Sequence, residues 1–99
     1  MHYLLRYQYV DGIDELREPY RAEHLSRMWT EADAGRLVIA GGAGDPISEG
    51  VIVFDVEDPV LIHAFVKDDP YMKAGLITSY DVVPWRTVVG ELAHTPLRP

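Results

Sequence analysis

From Tyr3 to Val10 apolar and polar side chains alternate. Tyr3, Leu5, Tyr7 and Tyr9 fall on one face, and Leu4, Arg6, Gln8 and Val10 on the other. Successive side chains of an extended chain point to opposite sides, so this period of two predicts a strand, closed by Asp11-Gly12. The period then lengthens. Ala22, Leu25, Met28, Trp29 and Ala32 recur at helical spacing and predict a helix from Glu15 to Ala34 with one buried stripe. Asp14 is placed to cap its start and Gly35 to stop it. Pro19 fits badly inside such a helix, where a proline costs about 3 kcal/mol. The alternative is that Pro19 marks the true first turn and residues 13–18 form a looser one.

Arg36 to Ala40 is a short β run, and Gly41-Gly42-Ala43-Gly44-Asp45-Pro46 reads as a turn-rich loop. Gly50 to Val56 is nearly all apolar, as a central strand requires. Asp58 followed by Pro59 starts a helix that runs to Lys67 with Leu61, Ala64 and Phe65 inward. Asp68-Asp69-Pro70 ends it, and Tyr71 to Gly75 is room for one more turn. The last strand spans Ile77 to Val89, and Pro84 within it predicts a sheet edge, because proline cannot donate to a ladder. His94 to Pro99 reads as a loose tail. The order β-α-β-β-α-β predicts an α+β, ferredoxin-like domain: an antiparallel sheet with two helices on one face. Many functions share that fold, so the order alone assigns no chemistry.

Composition narrows the function classes. The chain has 99 residues, the length of one domain, and a net charge of −7 with only two lysines. Nucleic acids and anionic membranes are held by clustered cations, so neither is an expected partner. Without cysteine there is no disulfide, thiolate metal site or thiol nucleophile. No apolar run is long enough to span a bilayer, and the first residues resemble a strand rather than a signal peptide; the expectation is a cytoplasmic protein. Histidines 2, 24, 63 and 94 form no short-spaced ligand pair, so no metal is expected. A sheet with helices on one face leaves its other face to be covered, which predicts a homodimer.

Chain direction brings the candidate chemistry together. In this topology the start of helix one, the end of helix two and the loop between strands two and three share one end of the domain. Arg21 and His24 belong to the first and Asp69 to the second; Gly41 to Asp45 is the third. At about 100° per residue Arg21 lies near the middle of the apolar stripe and His24 on its margin. An imidazole exchanges a proton near neutral pH. A carboxylate on its other nitrogen fixes the tautomer and stabilises the imidazolium. Asp68 competes with Asp69 for that role, and spacing does not separate them. Arg21 is placed to hold an anionic group, and Arg36 to make a salt bridge at a strand start. Tyr71 suits packing first, with lining the pocket or donating its hydroxyl as the functional alternative. The glycines at 41 and 42 precede a strand and lack a Lys-Ser/Thr ending, so they suit close backbone approach rather than a phosphate loop. Trp29 and Trp85 suit core or interface.

Arg21-x-x-His24-Leu25, Gly35-Arg36-Leu37 with Gly41, Asp69-Pro70-Tyr71, Ala74-Gly75-Leu76 and Pro84-Trp85 resemble, in order and spacing, the YCII-related (YciI-like) family. The resemblance covers nearly the whole chain. It implies a dimeric α+β barrel and a site centred on a histidine and an aspartate, here His24 and Asp69. It also implies a link, in one branch, to dehydrochlorination of a chlorinated aromatic. Members often carry Gly-Pro after strand two, where this chain has Gly41-Gly42-Ala43, a departure that bears on pocket shape. The expected function is cofactor-free proton transfer, an elimination or isomerisation, on a small aromatic or anionic substrate. His24, Asp69, Arg21, Tyr71, Gly41 and Gly42 would form the site. The competing reading is a metabolite-binding or regulatory module.

Overall fold

The computed structural model describes all 99 residues. The elements are β1 (His2–Tyr9), α1 (Ile13–Leu16), a 3-10 turn (Glu18–Tyr20), α2 (Arg21–Asp33), β2 (Leu37–Ala43), β3 (Glu49–Asp55), α3 (Val60–Lys67), α4 (Pro70–Lys73) and β4 (Ile77–Trp85). The four strands form one antiparallel sheet in the order β2-β3-β1-β4. This is the expected ferredoxin-like βαββαβ arrangement. Apolar β3 lies inside, and β4 lies at the edge that Pro84 requires.

The alternation of β1 becomes a two-faced sheet. Tyr3, Leu5 and Tyr7 are buried under the helices, while Arg6 and Gln8 are exposed on the far face. Their neighbours Ile52 and Phe54 complete the sheet's side of the core, and Ile62, Phe65 and Val66 come down onto it from α3. The inward line of α3 is therefore Ile62-Phe65-Val66. Of the expected Leu61, Ala64 and Phe65, only Phe65 is buried. The helix is turned so that its i, i+3, i+4 row falls on Ile62. Asp58 still caps it, its carboxylate accepting the Val60 N–H at 3.0 Å. Arg27 ties α2 to α3 by donating to the Phe65 carbonyl at 3.1 Å while lying 4.5 Å above the centre of the Phe65 ring.

The single helix expected from Glu15 to Ala34 is broken into three pieces. Pro19 has no N–H to give and its ring crowds the preceding turn, so a 3-10 turn forms there and α2 starts at Arg21. Asp14 does not cap a helix; it sits in the first turn of α1 and pairs with Arg17 at 3.2 Å. Gly35, at φ +80°, stops α2 as expected. The stripe of α2 also differs from expectation. His24 and Met28 are its buried residues, whereas Ala22, Leu25 and Trp29 are exposed and Ala32 is half-buried.

Strand β2 runs through the stretch expected to be loop. Gly41 pairs with Val51 and Gly42 with Gly50, so the turn is confined to residues 44–48. Strand β4 ends at Trp85, short of Val89. The segment beyond it, expected to finish as a loose tail, turns back on itself: the Thr95 N–H donates to the Thr87 carbonyl at 3.1 Å and the Leu97 N–H to that of Val88 at 2.9 Å. No helix is long and apolar enough to cross a membrane.

Candidate functional site

Asp69 is a carboxylate with no exposed surface. A buried charge of this kind is tolerated only if donors surround it, and three do. The Tyr7 hydroxyl donates to Oδ2 at 2.9 Å, the Tyr71 backbone N–H to Oδ1 at 2.9 Å, and His24 Nδ1 lies 2.9 Å from the same Oδ1. Local sequence explains the pose. Proline at 70 forces the preceding residue into an extended conformation, φ −65° and ψ 126°. That turns the Asp69 side chain back over the first turn of α4, where it serves as the cap. The neighbouring Asp68 is exposed and merely ends α3. Asp69 is thus the partner of His24, a choice that spacing left open.

A carboxylate can only accept, so Nδ1 of His24 carries a proton, and in the neutral imidazole Nε2 keeps the lone pair. The imidazole, 7% exposed, stacks flat on the Tyr71 ring, with centroids 3.7 Å apart and planes 5° from parallel. One nitrogen is held by Asp69 and one ring face by Tyr71, so the orientation of Nε2 is fixed.

Beside this pair lies a cleft of about 350 Å³, within the range of small-molecule sites. His24, Arg17, Arg21, Tyr9 and Tyr71 bring polar groups to it, while Leu25, Met28, Trp29 and Ile39 form apolar wall. The exposed positions of Leu25 and Trp29 are therefore the lining of a concavity. Gly41 and Gly42 also line it, as strand residues and not as the expected loop. Arg21 is half-buried and makes no ion pair within the chain, whereas Arg36 pairs with Glu31 at 2.5 Å.

The phenols respond to these surroundings. Burial pushes the Tyr7 hydroxyl far above its usual pKa, and the adjacent Asp69 charge pushes it further. Tyr9 is raised for the same two reasons. Burial raises Tyr71 as well, while the nearby Arg21 guanidinium pulls it back. The Tyr71 hydroxyl and the Arg17 Nε are buried without a hydrogen-bond partner in the chain.

Sequence reasoning missed Tyr7, Arg17 and Gly50. Tyr7 carried a signal: it shares the inward face of β1 with Tyr3 and Leu5, and a buried phenol needs a hydrogen-bond partner. Arg17 lay in a turn of uncertain path. Gly50 lines the cleft because the Tyr9 hydroxyl occupies the space that a Cβ would need.

A sequence profile of the YCII-related domain matches residues 1–86. No curated protein matches the chain. Among solved structures, 5-chloro-2-hydroxyhydroquinone dehydrochlorinase (TftG) from Burkholderia phenoliruptrix, in complex with 2,5-dihydroxybenzoquinone, is similar over 88% of this chain and 95% of that one. Its TM-score is 0.74 and the sequences are 22% identical. The protein Atu4242 from Agrobacterium tumefaciens is similar over 95% of this chain and 98% of its own, with a TM-score of 0.54 and 15% identity. At such identities the likeness is one of fold.

Proposed function

The chain belongs to the YCII-related family, and from that premise we propose that it catalyses cofactor-free proton transfer on a small, anionic or aromatic substrate. The observation that carries this reading is the pairing of His24 with the fully buried, three-donor Asp69 at the edge of a cleft. His24 Nε2 is the base. It takes a proton from the substrate, and Asp69 stabilises the imidazolium that results. In an elimination, the electron pair left behind forms the new double bond and the leaving group departs with its own pair as an anion. In an isomerisation, the same imidazolium returns the proton at another atom.

Arg21, which has no carboxylate partner, holds the anionic group of the substrate. Tyr71 keeps the imidazole plane fixed, and its hydroxyl, beside the Arg21 guanidinium, has its own proton left to donate to a ligand. The strand backbone at Gly41 and Gly42 closes one side of the cleft. The likeness to a dehydrochlorinase, together with the apolar wall, makes a hydroxylated, halogenated aromatic the first substrate to try. The fold type further suggests a homodimer.

The test is turnover of 5-chloro-2-hydroxyhydroquinone and related halophenols by the wild type and by His24→Ala. The expected result is a fall of roughly 100- to 10,000-fold in turnover, with the fold retained. The wild-type rate should follow the ionisation of one imidazole. Full turnover by a folded His24→Ala chain would remove the assignment. Ligand-induced stabilisation that survives the substitution, with no turnover of any compound, would instead identify a metabolite-binding module.

A further inference from the structure

At the other end of β1 from Tyr7 a second group of polar side chains meets, on the sheet face away from the helices. His2 opens β1, Asp55 closes β3 directly opposite it, and His94 returns from the segment after β4. His94 Nε2 lies 3.0 Å from Asp55 Oδ2. The rings of His2 and His94 have centroids 4.2 Å apart, inclined at 50°. One ligand atom from each of the three residues falls within 4.8 Å of the other two.

Thr87 holds the arrangement. Its hydroxyl lies 2.7 Å from His2 Nδ1 and accepts the His94 backbone N–H at 2.9 Å. His2 is 4% exposed, so its ring has little freedom. In the tautomer that donates from Nδ1 to Thr87, Nε2 is left as a ligand atom of fixed direction. A hydrogen-bonded hydroxyl or carboxylate on the far nitrogen is how proteins orient metal-binding imidazoles.

We propose that His2, Asp55 and His94 form a binding site for a divalent transition-metal ion of the zinc class, and that the ion fastens the C-terminal segment to the sheet. Two imidazole nitrogens and a carboxylate oxygen are a donor set that zinc accepts, with a fourth position left for water. Bonds of about 2.0–2.1 Å place tetrahedral donors about 3.3 Å apart. The His94–Asp55 pair, at 3.0 Å, is close to that spacing, and the side chains of His94 and Asp55 are 39% and 37% exposed, which lets them adjust toward the buried His2. Asp55 accepts from two groups, His94 Nε2 on Oδ2 and the Met1 ammonium on Oδ1 at 3.2 Å. A metal ion would take the place of the His94 Nε2 proton, engage all three donors and leave the ammonium on the other oxygen. The net charge of −7 favours a cation in general. No spacing motif announced the site, because its members lie about 50 and about 40 residues apart in the chain. Joining such distant positions is also why occupation would stabilise the fold.

The test is a calorimetric titration of the tag-free, metal-free full chain with zinc chloride. One site per chain is expected, with a dissociation constant on the order of micromolar or tighter. His94→Ala and Asp55→Asn should each weaken binding at least tenfold. His63→Ala, which removes an exposed histidine bonded to Tyr80, should leave it unchanged. Zinc should also slow amide exchange at Thr95 and Leu97, whose N–H groups anchor the segment. Circular dichroism establishes that each variant is folded, and the two ligand variants check one another. Absence of saturable zinc binding, binding retained in both ligand variants, or exchange in the segment unaffected by bound zinc would each overturn the proposal.

Discussion

At the scale of single residues, the centre of this molecule is a carboxylate that three different stretches of chain must satisfy. Tyr7 supplies one of the three hydrogen bonds, from a strand that neither His24 nor Asp69 belongs to. Replacing it by phenylalanine keeps the ring and leaves Asp69 Oδ2 buried without its donor, a loss expected to cost about 1–3 kcal/mol in urea denaturation at neutral pH. The variant also has a signature in alkali. The pKa of Tyr7 is raised in the folded chain, so its proton stays bound there after the unfolded chain has released it. Above about pH 10 the unfolded state binds fewer protons than the native one, and stability falls as pH rises. Tyr7→Phe should therefore lose stability less steeply than the wild type between pH 10 and 11 or so. An equal slope in the two proteins would contradict the assignment. Of this residue-level picture, the pairing of His24 with an aspartate was legible from chain direction. The choice of Asp69 over Asp68 was not, because it depends on the backbone bend that Pro70 imposes. The depth of His24 was not legible either. A stripe reading places apolar residues inward, yet here the imidazole takes the inward position because Asp69 and Tyr71 satisfy it, and Leu25 and Trp29 turn toward the cleft.

At the scale of elements, sequence periodicity was a good guide to type and order and a weaker one to ends. The alternation of β1 and the apolar run of β3 carried over with shifts of about one residue at their ends, because a sheet with one buried face ties register to pattern. The ends of β2 and of helix one did not. Glycines usually mark turns, but Gly41 and Gly42 continue the β2 ladder opposite Val51 and Gly50. The difference between glycines is testable. A Cβ at Gly41 would meet nothing within 4 Å, whereas one at Gly50 would collide with the Tyr9 hydroxyl and come within 2.9 Å of Tyr9 Cζ. Gly50→Ala should thus destabilise the chain by about 1–3 kcal/mol, while Gly41→Ala should change stability by less than about 0.5 kcal/mol in the same urea titration. Comparable effects at both positions would mean that the Tyr9 ring is not held against β3.

At the scale of the whole molecule, all the helices cover one side of the sheet, and the far side presents Leu4, Val51 and Val83 around the exposed Arg6–Asp81 ion pair, 2.6 Å between partners. That mixed face is what the proposed homodimer would bury. An interface of about 800 Å² per partner is ordinary for a stable pair. Light scattering after gel filtration at micromolar concentration should give twice the 11.2 kDa chain mass, and Val83→Asp should shift the population to monomer. A wild type that elutes only as a monomer would count against the dimer without touching the His24 assignment. The ferredoxin-like order was legible at this scale, because six alternating elements leave few ways to pair four strands. The path beyond β4 was not, since its contacts are made by dispersed polar residues with no period.

The capping of α4 by Asp69 has a consequence for how such chains diverge. The same side chain that would serve a reaction also secures the backbone of the Pro70 turn and receives the Tyr7 phenol. A descendant without the proposed chemistry would still use that aspartate to hold the turn, whereas the imidazole closes no turn. In sorting working enzymes from retired ones among such proteins, a retained aspartate is poor testimony and the position of the histidine is the better witness.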